Sequence, residues 1–393
     1  MTGQETASPI AGLAAAHLVT DIYMPVLPAI LPLLVSVDGY SYFAAGLLIT
    51  AYNITSSFTQ PIIGWLSDAK GFSISVGISL LVSAVFVSLI GIAHDYSMIM
   101  AFAVLAALGH ACFHPTALSL VSRLCTSENR GRITSYFVVG GNLGYAIGPV
   151  LTGILVWWFG LPGLIFLCIP AIAMVVALRF LLPSGIAVSC NNRTAPEKTA
   201  RTESMRPFAI LLAASIFRAW AIFAAMTYIP LYLVSQGFSL VAATAVTTLM
   251  LLAGVIGQAV GGRISDRIGR KEFLILGLAG AAPAFYLFLT SSGILSIIAV
   301  LIFGFCLWST FAVAVAMGHE LMPGNIGLAS GMMLGLAIGA GGLGVAVNGF
   351  VADHYSLATA LGTVPVPIVI AIILMALVPY PWKTWRKKAA GSP

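Results

Sequence analysis

The chain has 393 residues, 60% of them apolar and only 8% charged, with a mean hydropathy of +1.03. So little charge cannot cover the surface of a water-soluble domain of this size. The net charge of +6 is spread over short loops rather than gathered on one face, which argues against nucleic acid as a partner.

In chain order, apolar runs long enough to cross a hydrocarbon layer of ~30 Å predict spans near 10–34, 42–64, 73–93, 97–123, 133–159 and 162–182. A second set follows near 208–234, 238–262, 273–291, 294–321, 326–350 and 362–380. Between the sets, Pro183 to Pro207 is polar and carries Arg193, Glu197, Lys198, Arg201, Glu203 and Arg206. That segment reads as a linker over 184–207, between an N-terminal bundle at 1–183 and a C-terminal bundle with a basic tail at 208–393. Met1 to Pro9 has no basic n-region, so the first apolar stretch is expected to be a retained helix rather than a cleaved signal. Cys112, Cys125, Cys168, Cys190 and Cys306 lack metal-ligand spacing and are expected to be free thiols.

Counting from a cytoplasmic N-terminus, 17 of the 18 Lys and Arg residues fall in cytoplasmic loops or helix ends, Arg218 inside a helix being the exception. The positive-inside rule therefore predicts that both termini and the linker face the cytoplasm. Trp382, Trp385 and Arg386-Lys387-Lys388 are expected to anchor the last helix at the inner headgroups.

The two halves repeat. Gln60-Pro-Ile-Ile-Gly64-Trp-Leu-Ser67-Asp68 aligns with Gln258-Ala-Val-Gly-Gly262-Arg-Ile-Ser265-Asp266 at an offset of 198, and each copy follows the second helix of its half. Two pseudo-symmetric six-helix bundles, twelve transmembrane helices in all, are expected from such a repeat.

At these residues the chain resembles the major facilitator superfamily, whose loop signature is a glycine, an aspartate four residues on, and then basic residues with another glycine. Gly262, Asp266, Arg267, Gly269, Arg270 and Lys271 match it in the second half. In the first half Gly64, Leu66, Asp68 and Gly71 match, while Ala69 and Phe72 stand at basic positions. The resemblance implies a gating loop at Gly64, Asp68, Gly262, Asp266, Arg267 and Arg270. Gly144-Tyr-Ala-Ile-Gly148-Pro149 in the fifth span is similar to the motif of proton-coupled antiporters in that superfamily. A narrower likeness, to fosmidomycin-resistance-type exporters, rests on His17-Leu-Val-Thr-Asp21, Phe113-His114-Pro115, Arg218-Ala-Trp220, Ile229-Pro-Leu-Tyr232 and Glu320-Leu-Met-Pro323.

Ionisable groups at membrane depth are costly and point to function. His17 and Asp21 lie in the first span, His110 and His114 in the fourth, and Arg218 in the seventh, with His319 and Glu320 in the tenth. By the resemblance, helices 1, 4, 7 and 10 line the central cavity. The i,i+4 spacings of His17/Asp21 and of His110/His114 put each pair on one helix face. Asp21, helped by His17, is read as the proton carrier. Arg218 is read as the contact for an anionic substrate group, and His110 and His114 as further substrate-binding hydrogen-bonding groups. Competing readings are a structural Asp21–Arg218 ion pair, a structural hydrogen bond for His110 and a metal site on the histidines and Asp21.

Gly339-Ala-Gly341-Gly342-Leu-Gly344 has a dinucleotide pattern but no preceding strand. Gly140/Gly144/Gly148 and Gly331/Gly335/Gly339 have the small-residue spacing of close helix packing. No nucleophile or phosphate loop supports an enzyme, and no cofactor or metal is expected. Through the resemblance, the expectation is a monomeric, proton-coupled antiporter in the inner (cytoplasmic) membrane. It would export a small polar or anionic compound or drug by alternating access. An importer of an organic anion is the alternative, and a channel the alternative outside the class.

Overall fold

A computed structural model describes residues 3–70, 74–125, 130–182 and 205–382. The predicted linker from 184 to 204, with Cys190, and the basic tail at 383–393 lie outside the described residues, as does the side chain of Asp68.

The described residues form helices and no strands: α1 Gly3–Ile22, α2 Val26–Ser36, α3 Tyr42–Lys70, α4 Val76–Leu89, α5 Tyr96–Leu124, α6 Arg130–Phe159, α7 Cys168–Leu181 and α8 Met205–Ser235. They continue with α9 Leu240–Ile268, α10 Arg270–Thr290, α11 Gly293–Leu321, α12 Ile326–Gly331, α13 Ala337–His354, α14 Leu357–Gly362 and α15 Pro365–Leu377. Ten helical stretches among these residues are long and apolar enough to cross a membrane, and Val76–Ile92 is a shorter apolar helix. The 29 residues of α3 carry a polar centre, with Asn53, Ser56 and Ser57 buried.

Local chemistry places the breaks. The first apolar run is one predicted span but two helices, because Pro25 lacks the N–H that would bond the Asp21 carbonyl. The Tyr23 hydroxyl secures the bend by donating to the Leu167 carbonyl at 3.0 Å. Asp95 caps α5 by accepting from the Met98 N–H at 2.8 Å. A single residue, Gly269 at φ +114°, links α9 to α10, a left-handed conformation that side chains with a Cβ rarely adopt. The buried Lys271 ammonium donates to the Ala376 and Val378 carbonyls, 2.8 Å each, and so caps the end of α15.

Two compact units result. The first comprises 1–38, 51–195 and 237–248, the second 39–50, 196–236 and 249–393. Each is thus completed by the start of one helix from the other sequence half. In the first unit the Val150 N–H donates to Thr248 Oγ1 at 3.1 Å. In the second, Asp353 accepts from the Tyr42 and Phe43 N–H groups at the start of α3 (2.7 and 2.9 Å), and Thr50 Oγ1 donates to the Gly342 carbonyl at 2.8 Å.

The helix pairings inside the units correspond. In the first, α1 packs on α6, and α4 packs on α5 and α7; in the second, α8 packs on α13, and α10 packs on α11 and α15. The internal repeat seen in the loop motif therefore extends to the packing. Large apolar side chains such as Phe180, Leu276, Tyr286 and Ile373 remain exposed on the outer faces, as expected of helices whose solvent on that side is lipid.

Candidate functional site

In the first unit, α1 and α5 bring four of the predicted side chains together. His17 Nε2 lies 3.2 Å from Asp21 Oδ2, and His114 Nε2 lies 3.7 Å from Asp21 Oδ1. His110 Nε2 and His114 Nε2 face each other at 3.0 Å. His17 and His110 are 7% and 4% exposed, so these contacts sit in a poorly screened interior.

Proton positions follow from the donors and acceptors. His17 Nδ1 lies 2.8 Å from the Phe137 carbonyl, which can only accept, so Nδ1 carries a proton. Its Nε2 faces a carboxylate oxygen, so a second proton is shared there between imidazole and carboxyl. The two Nε2 atoms of His110 and His114 likewise need one proton between them. Asp21 Oδ1 and His110 Nδ1 are buried without a hydrogen-bond partner among the described residues. The cluster is a set of buried proton sites with spare acceptor and donor capacity. His17, Asp21 and His114 also offer three ligand atoms within 4.8 Å of one another that could meet a cation. The short His17–Asp21 contact already engages two of them.

Helix α6 completes this site in ways the spacing alone did not reveal. A Cβ at Gly140, Gly144 or Gly148 would strike the Ala14, Leu18 or Ile22 carbonyl respectively, so α1 and α6 run parallel in contact every four residues. The antiporter-like Gly144 and Gly148 belong to that seam. Gly141 is different: its missing Cβ leaves room for the His17 ring and for Asp21 Oδ2. The available signal was its place beside the Gly140/Gly144/Gly148 series. Phe137, whose carbonyl orients His17, also stacks on the ring at 4.1 Å between centroids. No sequence pattern singles out a main-chain acceptor.

Arg218 belongs to the second unit, on α8. It is 4% exposed, and its Nε and Nη1 have no hydrogen-bond partner among the described residues. Its guanidinium carbon lies 5.0 Å from the Phe311 ring centre. Ser215 Oγ, one turn earlier, is also buried without a partner. Two orphaned polar groups on one helix face are a place for a polar ligand group to dock. Nearby, Trp220 Nε1 donates to Asn348 Oδ1 at 2.6 Å, and Asn348 Nδ2 donates to the Ala360 carbonyl and Thr363 Oγ1, 2.9 Å each.

In the eleventh span Gly335 and Gly339 are buried, but Gly331 takes no part in close packing. Gly331 faces open space, while Gly341 meets Ala219 and Gly344 meets the Trp220 ring. A π-helical segment at Met332–Leu336 shifts the helix face, so a spacing of four across it no longer marks one side. The dinucleotide-like run lies inside α13, where two of its glycines provide the room in which α8 packs.

The gating-loop residues of the second half form a charged node. Arg270 bridges Asp266 Oδ1 at 3.3 Å (Nη1) and Glu320 Oε1 at 2.5 Å (Nε), and the Tyr380 hydroxyl donates to Glu320 Oε2. Arg267 lies in the last turn of α9. Gly64 and Gly262 both have open space where a Cβ would stand. Pro149 lies inside α6 next to Val150, whose N–H meets Thr248.

Comparison with known proteins agrees with this architecture. A family model described as Major Facilitator Superfamily matches residues 10–333 and 241–392. The fosmidomycin resistance protein of Escherichia coli (strain K12) is 29% identical over 358 residues, covering 88% of this chain and 87% of that protein. The MFS-type transporter YfnC of Bacillus subtilis (strain 168) is 29% identical over 379 residues, covering 92% and 89%. Among solved structures, a bacterial homologue of the human lysosomal transporter Spinster superposes with a TM-score of 0.77 at 14% identity, covering 93% of this chain and 94% of that one. With its helical membrane-spanning fold and a family match over most of its length, the chain belongs to the Major Facilitator Superfamily and is a multi-pass membrane transporter of small molecules, not an enzyme.

Proposed function

We propose that this transporter is a proton-coupled antiporter that exports a small polar or anionic compound or drug. The observation that carries the reading is the buried His17–Asp21–His114–His110 cluster, which holds shared protons at positions a bilayer would otherwise penalise. Asp21, with His17, takes up and releases the transported proton. His114 and His110 bind substrate through hydrogen bonds that respond to that event. Arg218, with its unsatisfied N–H groups, binds an anionic group of the substrate.

The reading assigns alternating access to two six-helix halves, 1–183 and 208–393, joined by the 184–207 linker, with twelve spans and both termini cytoplasmic. Charge placement along the sequence supports that topology. The inner membrane and a monomeric state complete the proposal. The loop residues Gly64, Asp68, Gly262, Asp266, Arg267 and Arg270 act as the gate, and the Arg270–Asp266–Glu320 node is the part of it with defined contacts. Export draws its support from the resistance named for the Escherichia coli relative.

The test is transport in proteoliposomes with and without an imposed proton gradient. Substrate movement should reverse with the gradient and collapse with a protonophore. Movement that ignores both would identify a uniporter and overturn the proposal.

A further inference from the structure

The polar side chains of the first unit are spaced as a coordination shell as well as a hydrogen-bonded cluster. Two i,i+4 pairs on two helices, His17 with Asp21 on α1 and His110 with His114 on α5, hold the ligand atoms. Ligands at about 2.0–2.1 Å from a tetrahedral ion stand about 3.3–3.4 Å apart. Here the successive separations are 3.2 Å from His17 Nε2 to Asp21 Oδ2, 3.7 Å from Asp21 Oδ1 to His114 Nε2, and 3.0 Å from His114 Nε2 to His110 Nε2. One ligand atom each from His17, Asp21 and His114 lies within 4.8 Å of the other two. The hydrogen bond from His17 Nδ1 to the Phe137 carbonyl fixes Nε2 as the atom offered to an ion, the outer support that metal-binding histidines use. Asp21 and His114 keep 15% and 18% of their side chains exposed, which gives an ion a way in.

From this geometry we infer that His17 Nε2, an Asp21 carboxylate oxygen and His114 Nε2 bind one divalent ion of the zinc class, with water in the fourth position beside His110 Nε2. The inference goes beyond the proton reading of these residues and does not rest on it. Binding releases the proton that His17 and Asp21 share, and their 3.2 Å contact is already close to one edge of the shell, so the exchange needs little movement. Two imidazoles and a carboxylate suit Zn²⁺, Co²⁺ or Ni²⁺, whereas Mg²⁺ and Ca²⁺ require shells of oxygen. The bound ion clamps α1 to α5 and so arrests transport.

The test uses untagged protein in detergent, stripped of metal by a chelator. One Co²⁺ per chain should bind with the intense visible absorption of a four-coordinate ion; Zn²⁺ should displace it, and excess Mg²⁺ should not. His114→Gln should weaken Zn²⁺ binding, measured by calorimetry, about a hundredfold, as much as loss of an outer partner alone can cost. His17→Gln should do the same and serves if His114→Gln does not fold. His94→Gln with His354→Gln, both at exposed positions, should change nothing. A Co²⁺ spectrum that survives loss of His17 or His114, or that disappears with His94 and His354, assigns the binding to surface histidines and overturns the site. In proteoliposomes, saturating Zn²⁺ should stop transport and chelator should restore it; transport that continues overturns the clamp. Gradient-driven transport in chelated buffer reads the proton proposal separately, so either can fail while the other stands.

Discussion

Gly141→Ala adds one methyl group where α6 passes the His17–Asp21 pair. The new Cβ would stand 2.6 Å from Asp21 Oδ2 and closer still to the His17 ring, roughly 1 Å inside an ordinary contact of about 3.5 Å. His17 cannot swing aside cheaply, because Nδ1 is bound to the Phe137 carbonyl at 2.8 Å and the ring is stacked on Phe137. Overpacking of this kind costs about 1–3 kcal/mol. A hydrogen bond to a charged group contributes about 1.5–3 kcal/mol, so the methyl group can break the His17–Asp21 bond rather than compress it. Gly144→Ala is the control. Its Cβ meets the Leu18 carbonyl, so it pushes the α1 and α6 backbones apart without touching the cluster side chains. Both variants should be measured for melting temperature in detergent and for transport rate against pH in proteoliposomes. Gly144→Ala should lose the more stability, with the pH profile of the folded fraction unchanged. Gly141→Ala should fold with a smaller loss and show a displaced or flattened profile. A wild-type profile in Gly141→Ala would refute the placement of the proton site at His17 and Asp21.

Asp21→Asn imitates the protonated carboxyl, so gradient-driven transport should vanish while downhill exchange of labelled against unlabelled substrate survives; loss of both together would make Asp21 structural. Arg218→Met should raise the melting temperature, because it removes two buried N–H groups that lack partners, and should abolish binding of an anionic substrate measured by calorimetry. Retained binding would dismiss Arg218 as the anion contact. Asn348→Leu strands the Trp220 N–H and two acceptors, the Ala360 carbonyl and Thr363 Oγ1, at about 1–3 kcal/mol for each buried group left unpaired. A marked fall in melting temperature is expected, and an unchanged one would mean that water or a neighbour replaces those bonds.

The local features of this protein were legible in its sequence because their causes are local. Apolar runs mark membrane-crossing helices, since an unpaired backbone in lipid is costly whatever the rest of the fold does. His17 with Asp21 and His110 with His114 stand out because four polar groups in two apolar helices are rare, and a spacing of four puts each pair on one face. The loop motif at Gly262–Lys271 showed the repeat, and its copy at Gly64 placed that repeat in both halves.

Tertiary packing decided what those groups meet. Nothing within α1 indicates that His17 bonds the Phe137 carbonyl, 120 residues further along, or that Gly141 makes room for it. Both depend on the parallel seam of α1 with α6, a pairing between helices far apart in the chain. The π-helical segment at Met332–Leu336 has the same character: it leaves Gly331 facing open space through a change of helix face that a count of four residues misses, while Gly341 and Gly344 meet α8 further on. The completion of each unit by the start of α3 or α9 also rests on distant partners, Asp353 for Tyr42 and Phe43, and Val150 for Thr248. Periodicity reports which face of a helix is unusual; only the packed fold supplies the neighbour that face requires.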